Sequence, residues 1–250
     1  MPSPLRLDDV TIRYGDVLAL ERVTARIPPG SSVAVIGPNG SGKSTLLKAI
    51  AGLVPLSSGA VDSNGCGVAI VLQSTDVDRS LPLTVRDSVM MARYPKIGLV
   101  GRLRTADREA IDRAIADLDL EELLDRQIHQ LSGGQRQRTF VAQGLAQKAE
   151  VLLLDEPLTG LDVMSRSLIV DVLDRASSEG RTTILTTHSF TEAEQCDLVM
   201  LLANHCIAFG PPSAVLTETN LREAFGGRFV KVGNTLVLDD PHHEHKHAHL

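Results

Sequence analysis

The sequence predicts an α/β fold: a mainly parallel sheet buried on both faces, strands at the N-terminal end and a helical insertion. Three observations lead there. Short runs such as Ser31 to Ile36, Gly67 to Leu72, Val151 to Leu154, Thr182 to Thr186 and Leu198 to Leu202 read as buried strands. Segments with helical spacing of apolar positions alternate with them, as strand–helix–strand crossovers require. Between about Asp76 and Gln130 the strand signals fade and helical ones take over.

Along the chain, Leu5, Leu7, Val10 and Ile12 are interspersed with polar residues and read as an early strand. Ser31 to Ile36 ends at Gly37, and a helix follows from about Lys43 to Ala51. Gly67 to Leu72 is the next strand. Val85 to Arg93 and Ala106 to Leu118 carry the insertion's helical periodicity. Val151 to Leu154 resumes the sheet, a helix runs around Val163 to Ala176, and two more strands follow. The expected organisation is one domain over 1–227, with the helical part at about 76–145, and a tail over 228–250.

Composition narrows the function class. The formal net charge is -6, which speaks against nucleic acid as a partner, since phosphate backbones call for clustered Lys and Arg. Asp8 and Asp9 stand where a signal peptide needs an apolar run. The longest apolar stretches, such as Leu198 to Ala203, are too short to span a bilayer, so a membrane role runs through a partner. Cys66, Cys196 and Cys206 fit no zinc spacing and read as reduced core residues.

Gly37-Pro38-Asn39-Gly40-Ser41-Gly42-Lys43-Ser44 matches G-x-x-x-x-G-K-[ST] between a strand and a helix, with Thr45 next. Its glycines let the backbone curl so that N–H groups and the helix N-terminus point at phosphate. Lys43 supplies charge to the β- and γ-phosphates, and Ser44 a hydroxyl to Mg²⁺. The bland alternative is a glycine-rich turn capping a helix. At the carboxyl end of Val151 to Leu154 stand Asp155 and Glu156, where ligands sit in open α/β sheets. Asp155 is placed to hold magnesium and Glu156 to polarise an attacking water; a solvated strand end leading into Pro157 is the alternative. Leu131-Ser132-Gly133-Gly134-Gln135 precedes a helical segment, and taken alone reads as an N-cap and a turn.

Phosphate loop, acidic strand end and that pentapeptide, in this order, resemble the ATP-binding-cassette (ABC) ATPases over nearly the whole chain to about Gly227. The resemblance implies a P-loop NTPase core with an N-terminal antiparallel β subdomain and a helical insertion. It implies ATP and Mg²⁺ as ligands. Tyr14 matches the aromatic that stacks on adenine, Gln73 the glutamine that reaches magnesium, and Asp162 in Thr159-Gly-Leu-Asp162 the loop that crosses to a second subunit. His188 matches the histidine near the γ-phosphate. The family pairs two subunits head to tail, with Ser132, Gly133, Gly134 and Gln135 of one facing the phosphate loop of the other, so an ATP-dependent homodimer is expected. Where the family commonly reads alanine-arginine-alanine-leucine, this chain reads Ala142-Gln143-Gly144-Leu145; a glycine inside a helix is expected to cost local stability.

Three kinds of ABC protein are compatible with this pattern: a transport motor, a soluble ATPase acting on DNA or the ribosome, and a non-hydrolysing scaffold. About ninety residues separate loop and signature, too few for a long coiled coil; one cassette is present, and Glu156, His188 and Gln73 are intact. The transport motor fits best, working with integral membrane permease subunits and, through them, an extracytoplasmic solute-binding protein, at the cytoplasmic face of a bacterial membrane. Leu81 to Val89, with Met90-Met91-Ala-Arg-Tyr94, looks most like the manganese/zinc-type importers; an iron-chelate importer or an exporter is the alternative. Leu81, Leu83 and Met90 are expected to wall a groove for the permease. His242, His243, His245, His247 and His249 are five of the chain's eight histidines, a ligand set suited to zinc, copper, nickel or iron; a solvated polar tail with no role is the alternative.

Overall fold

In the computed structural model, residues 5–73, 82–98 and 101–226 are described, together with the backbone of 229–232 and 235–238. Three strands open the chain: β1 (Leu5–Tyr14), β2 (Val17–Ile27) and β3 (Ser32–Ile36). Helix α1 (Lys43–Ile50) is followed by β4 (Ser58–Asp62) and β5 (Val68–Val71). The insertion carries α2 (Val85–Met91), α3 (Tyr94–Ile97), α4 (Thr105–Asp117) and the first part of α5 (Gly133–Ala146). Then come β6 (Val151–Leu154), α6 (Val163–Ser178), β7 (Thr182–Thr186), α7 (Phe190–Glu194), β8 (Leu198–Ala203), β9 (His205–Gly210), α8 (Pro212–Val215) and α9 (Glu218–Phe225). A final hairpin pairs β10 (Phe229–Val232) with β11 (Thr235–Leu238) antiparallel, so the described part of 228–250 is not featureless.

The central six-stranded sheet runs β5-β6-β7-β3-β8-β9, parallel except for the β8–β9 pair. Period-2 alternation sorts its residues into two cores. Ala34, Ile36, Val71, Leu152, Leu154, Leu185, Val199 and Leu201 face one cluster with α2, α4, α5 and α6. Val33, Val35, Leu153, Ile184, Met200 and Leu202 face the other, with β1, β2 and α1. Both faces of the central strands β6, β7 and β3 are therefore largely dry, while the edge strand β9 is only half-buried. The antiparallel sheet β2-β1-β4 closes over the second face.

Two expectations are corrected by the packing. Gly144 is not simply a weak helix residue: a Cβ there would lie 2.6 Å from Val71 Cγ2 and 3.1 Å from Leu152 Cδ1. The missing side chain is what lets α5 approach β5 and β6 so closely. The three cysteines are free thiols but half-buried rather than fully in the core. Burial pushes the Cys196 thiol up to about 12 and that of Cys206 to about 11, so both stay protonated and unreactive at neutral pH. Among the described residues no helix is long and apolar enough to cross a membrane.

Candidate functional site

The turn from β3 to α1 is shaped by close approach. Gly42 sits at φ 94°, and a Cβ there would meet Leu20 Cδ2 at 2.4 Å and the Ala19 carbonyl at 2.7 Å; only glycine allows β2 to press on the loop. Lys43, buried, donates its ammonium to the carbonyls of Gly37 at 2.9 Å and Pro38 at 3.1 Å. Burial lowers its pKa, while the negative charges of Glu156 and Asp155 work against that shift. Ser41 Oγ is buried without a hydrogen-bond partner. Asn204, at the β8–β9 turn, braces the loop from behind: its Nδ2 donates to Ala19 O at 3.0 Å and its backbone N–H to Ser41 O at 2.9 Å.

At the end of β6, Asp155 is buried and Glu156 lies in the left-handed region at φ 49°. A non-glycine residue pays roughly 1–2 kcal/mol for that conformation. Thr186, at the end of β7, holds it: its hydroxyl accepts from the Glu156 backbone N–H at 2.8 Å and donates to Asp155 Oδ1 at 2.7 Å. One buried threonine thus holds the Asp155 carboxylate and the Glu156 backbone together. Sequence reasoning named Thr186 and Asn204 only in passing or not at all, because a buried Thr at a strand end and an Asn in a turn look ordinary until their partners are known.

The Glu156 side chain gathers two residues from other elements. His188 donates Nε2–H to Oε1 at 2.6 Å, and Gln73, just after β5, donates its amide to Oε2 at 3.2 Å. Gln73, Glu156 and His188 therefore form one cluster at the carboxyl edge of the sheet. Tyr14 ends β1 as a residue 48% exposed.

The signature residues lie elsewhere. Ser132 caps α5: its Oγ accepts from Gln135 N at 3.2 Å, and Gln135 Oε1 accepts from Ser132 N at 3.1 Å, a reciprocal capping box. Asp162 caps α6, accepting from Ser165 N at 2.9 Å and Ser165 Oγ at 2.8 Å. The two starts touch, since a Cβ on Gly134 would lie 2.5 Å from Ser165 Oγ and 2.6 Å from Asp162 Oδ2. Among the described residues no hydrogen bond joins this pair of helix N-termini to Lys43 or Glu156.

Leu83 and Met90 are half-buried against the helical core, so part of each serves the insertion itself; Leu81 lies outside the described residues. So do His242, His243, His245, His247 and His249.

A phosphate loop, an acidic strand end and a capped signature helix on this sheet define an ATP-hydrolysing cassette. The family model for ABC transporters matches residues 20–159, and the chain belongs to the ABC transporter family. It is the ATP-binding, ATP-hydrolysing component of such a transporter. It is 37% identical over 249 residues to the manganese transport system ATP-binding protein MntB of Bacillus subtilis, covering 96% of this chain and 99% of that one. It is 39% identical over 256 residues to the zinc transport system ATP-binding protein TroB of Treponema pallidum, covering 98% and 95%. Among solved structures, an inward-facing ABC transporter assigned to the metal-chelate type superposes with a TM-score of 0.80 at 26% identity, covering 94% of this chain and 95% of that one.

Proposed function

We propose that this chain is the motor of a bacterial importer for a divalent metal ion, manganese or zinc, seated at the cytoplasmic face of the membrane against permease subunits. The observation that carries the solute class is full-length similarity to both manganese and zinc transport ATP-binding proteins. An extracytoplasmic binding protein delivers the ion to the permease. Two copies associate head to tail around ATP, and the separation of the Lys43–Glu156 face from the Ser132–Asp162 face within one chain supports that reading, because each face supplies donors the other lacks.

In this reading Gly37 to Thr45 hold the phosphates through backbone N–H groups and the Lys43 ammonium, and Tyr14 stacks on adenine. Ser44, Asp155 and Gln73 offer hydroxyl, carboxylate and amide oxygen, a hard-oxygen set that fits Mg²⁺, which when bound neutralises phosphate charge. Glu156 accepts a proton from the attacking water as general base, and His188, hydrogen bonded to it, orients the carboxylate and faces the γ-phosphate. Gln73 moves with the insertion and reports nucleotide state to the permease. Ser132, Gly133, Gly134 and Gln135 donate to the γ-phosphate of the opposite copy, and Asp162 lines the contact.

The test is co-purification from membranes with the permease, followed by uptake in vesicles: ATP-dependent accumulation of manganese or zinc is expected. An ATP-driven efflux, or uptake of an iron chelate with no response to either ion, overturns the assignment.

The five tail imidazoles are proposed as a zinc site of modest affinity, because a ligand set without apolar anchors loses chain entropy on binding.

A further inference from the structure

The strongest unassigned feature is a cationic cleft in the insertion. Between Asp87 and Asp107 the sequence contains no acid but four bases: Arg93, Lys96, Arg102 and Arg104. In a chain of net charge -6 that is a local inversion of sign. The fold gathers these bases around one cleft of about 480 Å³, lined by Arg93, Lys96, Ile97, Arg102, Arg104 and Asp107.

The cleft floor is rigid. Arg93 and Asp107 are both buried, and Arg93 Nε donates to Asp107 Oδ1 at 2.8 Å. Arg93 Nη1 also donates to the carbonyls of Ala146 and Gln147, at 3.0 and 2.9 Å, tying the floor to the end of α5. Asp107 Oδ2 is taken by the Arg104 backbone N–H. The only acid in the lining is thus committed to Arg93. Lys96, Arg102 and Arg104 are exposed and, among the described residues, none has a carboxylate within ion-pair distance. A second charged cavity, of about 290 Å³ between α4, α5 and α6, differs in kind. There Arg113 and Arg175 are paired with Asp117 and Glu179.

We infer that the cleft binds a phosphate group, carried either by an anionic lipid headgroup or by a free phosphate ion. Guanidinium groups match phosphate oxygens bidentately and a lysine adds a point charge. Exposed Tyr94 and half-buried Ile97 beside the bases give the rim the amphipathic character of a membrane-surface contact. The inference is independent of the transported solute, and of the ATP site.

The test uses the full chain with phosphatidylcholine vesicles, with and without phosphatidylglycerol. Binding is expected only to the anionic vesicles. Lys96→Gln/Arg102→Gln/Arg104→Gln should lower the partition coefficient roughly a hundredfold, as three bases lose their surface attraction. Arg6→Gln/Arg13→Gln/Arg26→Gln removes equal charge elsewhere and should leave binding nearly intact. A parallel arm titrates inorganic phosphate at constant ionic strength into chains carrying Lys43→Ala, so that the phosphate loop does not compete, and reads the thermal midpoint with and without the cleft substitutions. A cleft-dependent response to phosphate alone identifies a soluble anion; a response to vesicles alone identifies the headgroup. No cleft-dependent response in either arm, or equal loss in the control triple, overturns the inference. If the cleft triple loses its circular dichroism signature, the single exposed Arg102→Gln must still weaken binding.

Discussion

Gly144→Ala sets two known effects against each other. On intrinsic propensity the change favours α5 by about 1 kcal/mol. The structure opposes it: the new methyl would sit 2.6 Å from Val71 Cγ2 and 3.1 Å from Leu152 Cδ1, well inside van der Waals contact. Neither neighbour has room to yield. Val71 is 4% exposed on a strand and Leu152 0% exposed, and a β-branched side chain is restricted at χ1. Overpacking of this kind costs about 1–3 kcal/mol, so the balance falls to a net loss of about 1 kcal/mol. For a chain of this size that is a drop of about 2–4 °C in the thermal midpoint. Differential scanning calorimetry at fixed nucleotide concentration reads it. The cause is checked by Val71→Ala, which removes the clashing methyl: Gly144→Ala on that background should recover about 1 kcal/mol of coupling. An unchanged or raised midpoint in the single variant refutes the packing argument and returns Gly144 to an ordinary helix position.

Glu156→Gln should keep ATP binding but nearly abolish turnover, accumulating an ATP-bound dimer on size-exclusion chromatography; normal phosphate release would remove Glu156 from the chemistry. Ser132→Arg should leave ATP binding to the monomer intact and stop hydrolysis, while lost capping costs about 1 kcal/mol in a denaturation curve; weakened monomer affinity would contradict the two-faced site. Asp107, held below the usual carboxylate range by Arg93 and the Arg104 N–H, contributes stability that is complete above the unfolded value of about 4 and disappears as pH falls through the lowered folded value. Denaturation against pH should show that acid loss in the parent chain and less of it in Asp107→Asn; parallel curves would exclude the role. Calorimetry with zinc should show binding that disappears when the chain is ended at Asp240, and unchanged binding would place the zinc elsewhere.

The sequence by itself determined the fold class and the phosphate-binding elements. Their physics is local: a strand buried on both faces must be continuously apolar, and a loop around phosphate must be glycine-rich and followed by a helix N-terminus. Gly37 to Ser44 and Asp155 to Glu156 were legible from residue types at fixed spacing, whereas Ser132 to Gln135 read alone as an N-cap and a turn and took its expected role from the family resemblance. Strand β4, Ser-Gly-Ala-Val-Asp, has no continuous apolar run and carried no such signal; it is a strand because β1 pairs with it. Tertiary structure alone decided what holds the site. Thr186 reaches Asp155 and Glu156 across 31 and 30 residues, Gln73 reaches Glu156 across 83, and Gly134 meets Asp162 only because two helices start side by side. Hydrogen bonds and close contacts of this kind depend on where separate elements meet in space, which residue type and spacing along one segment do not encode.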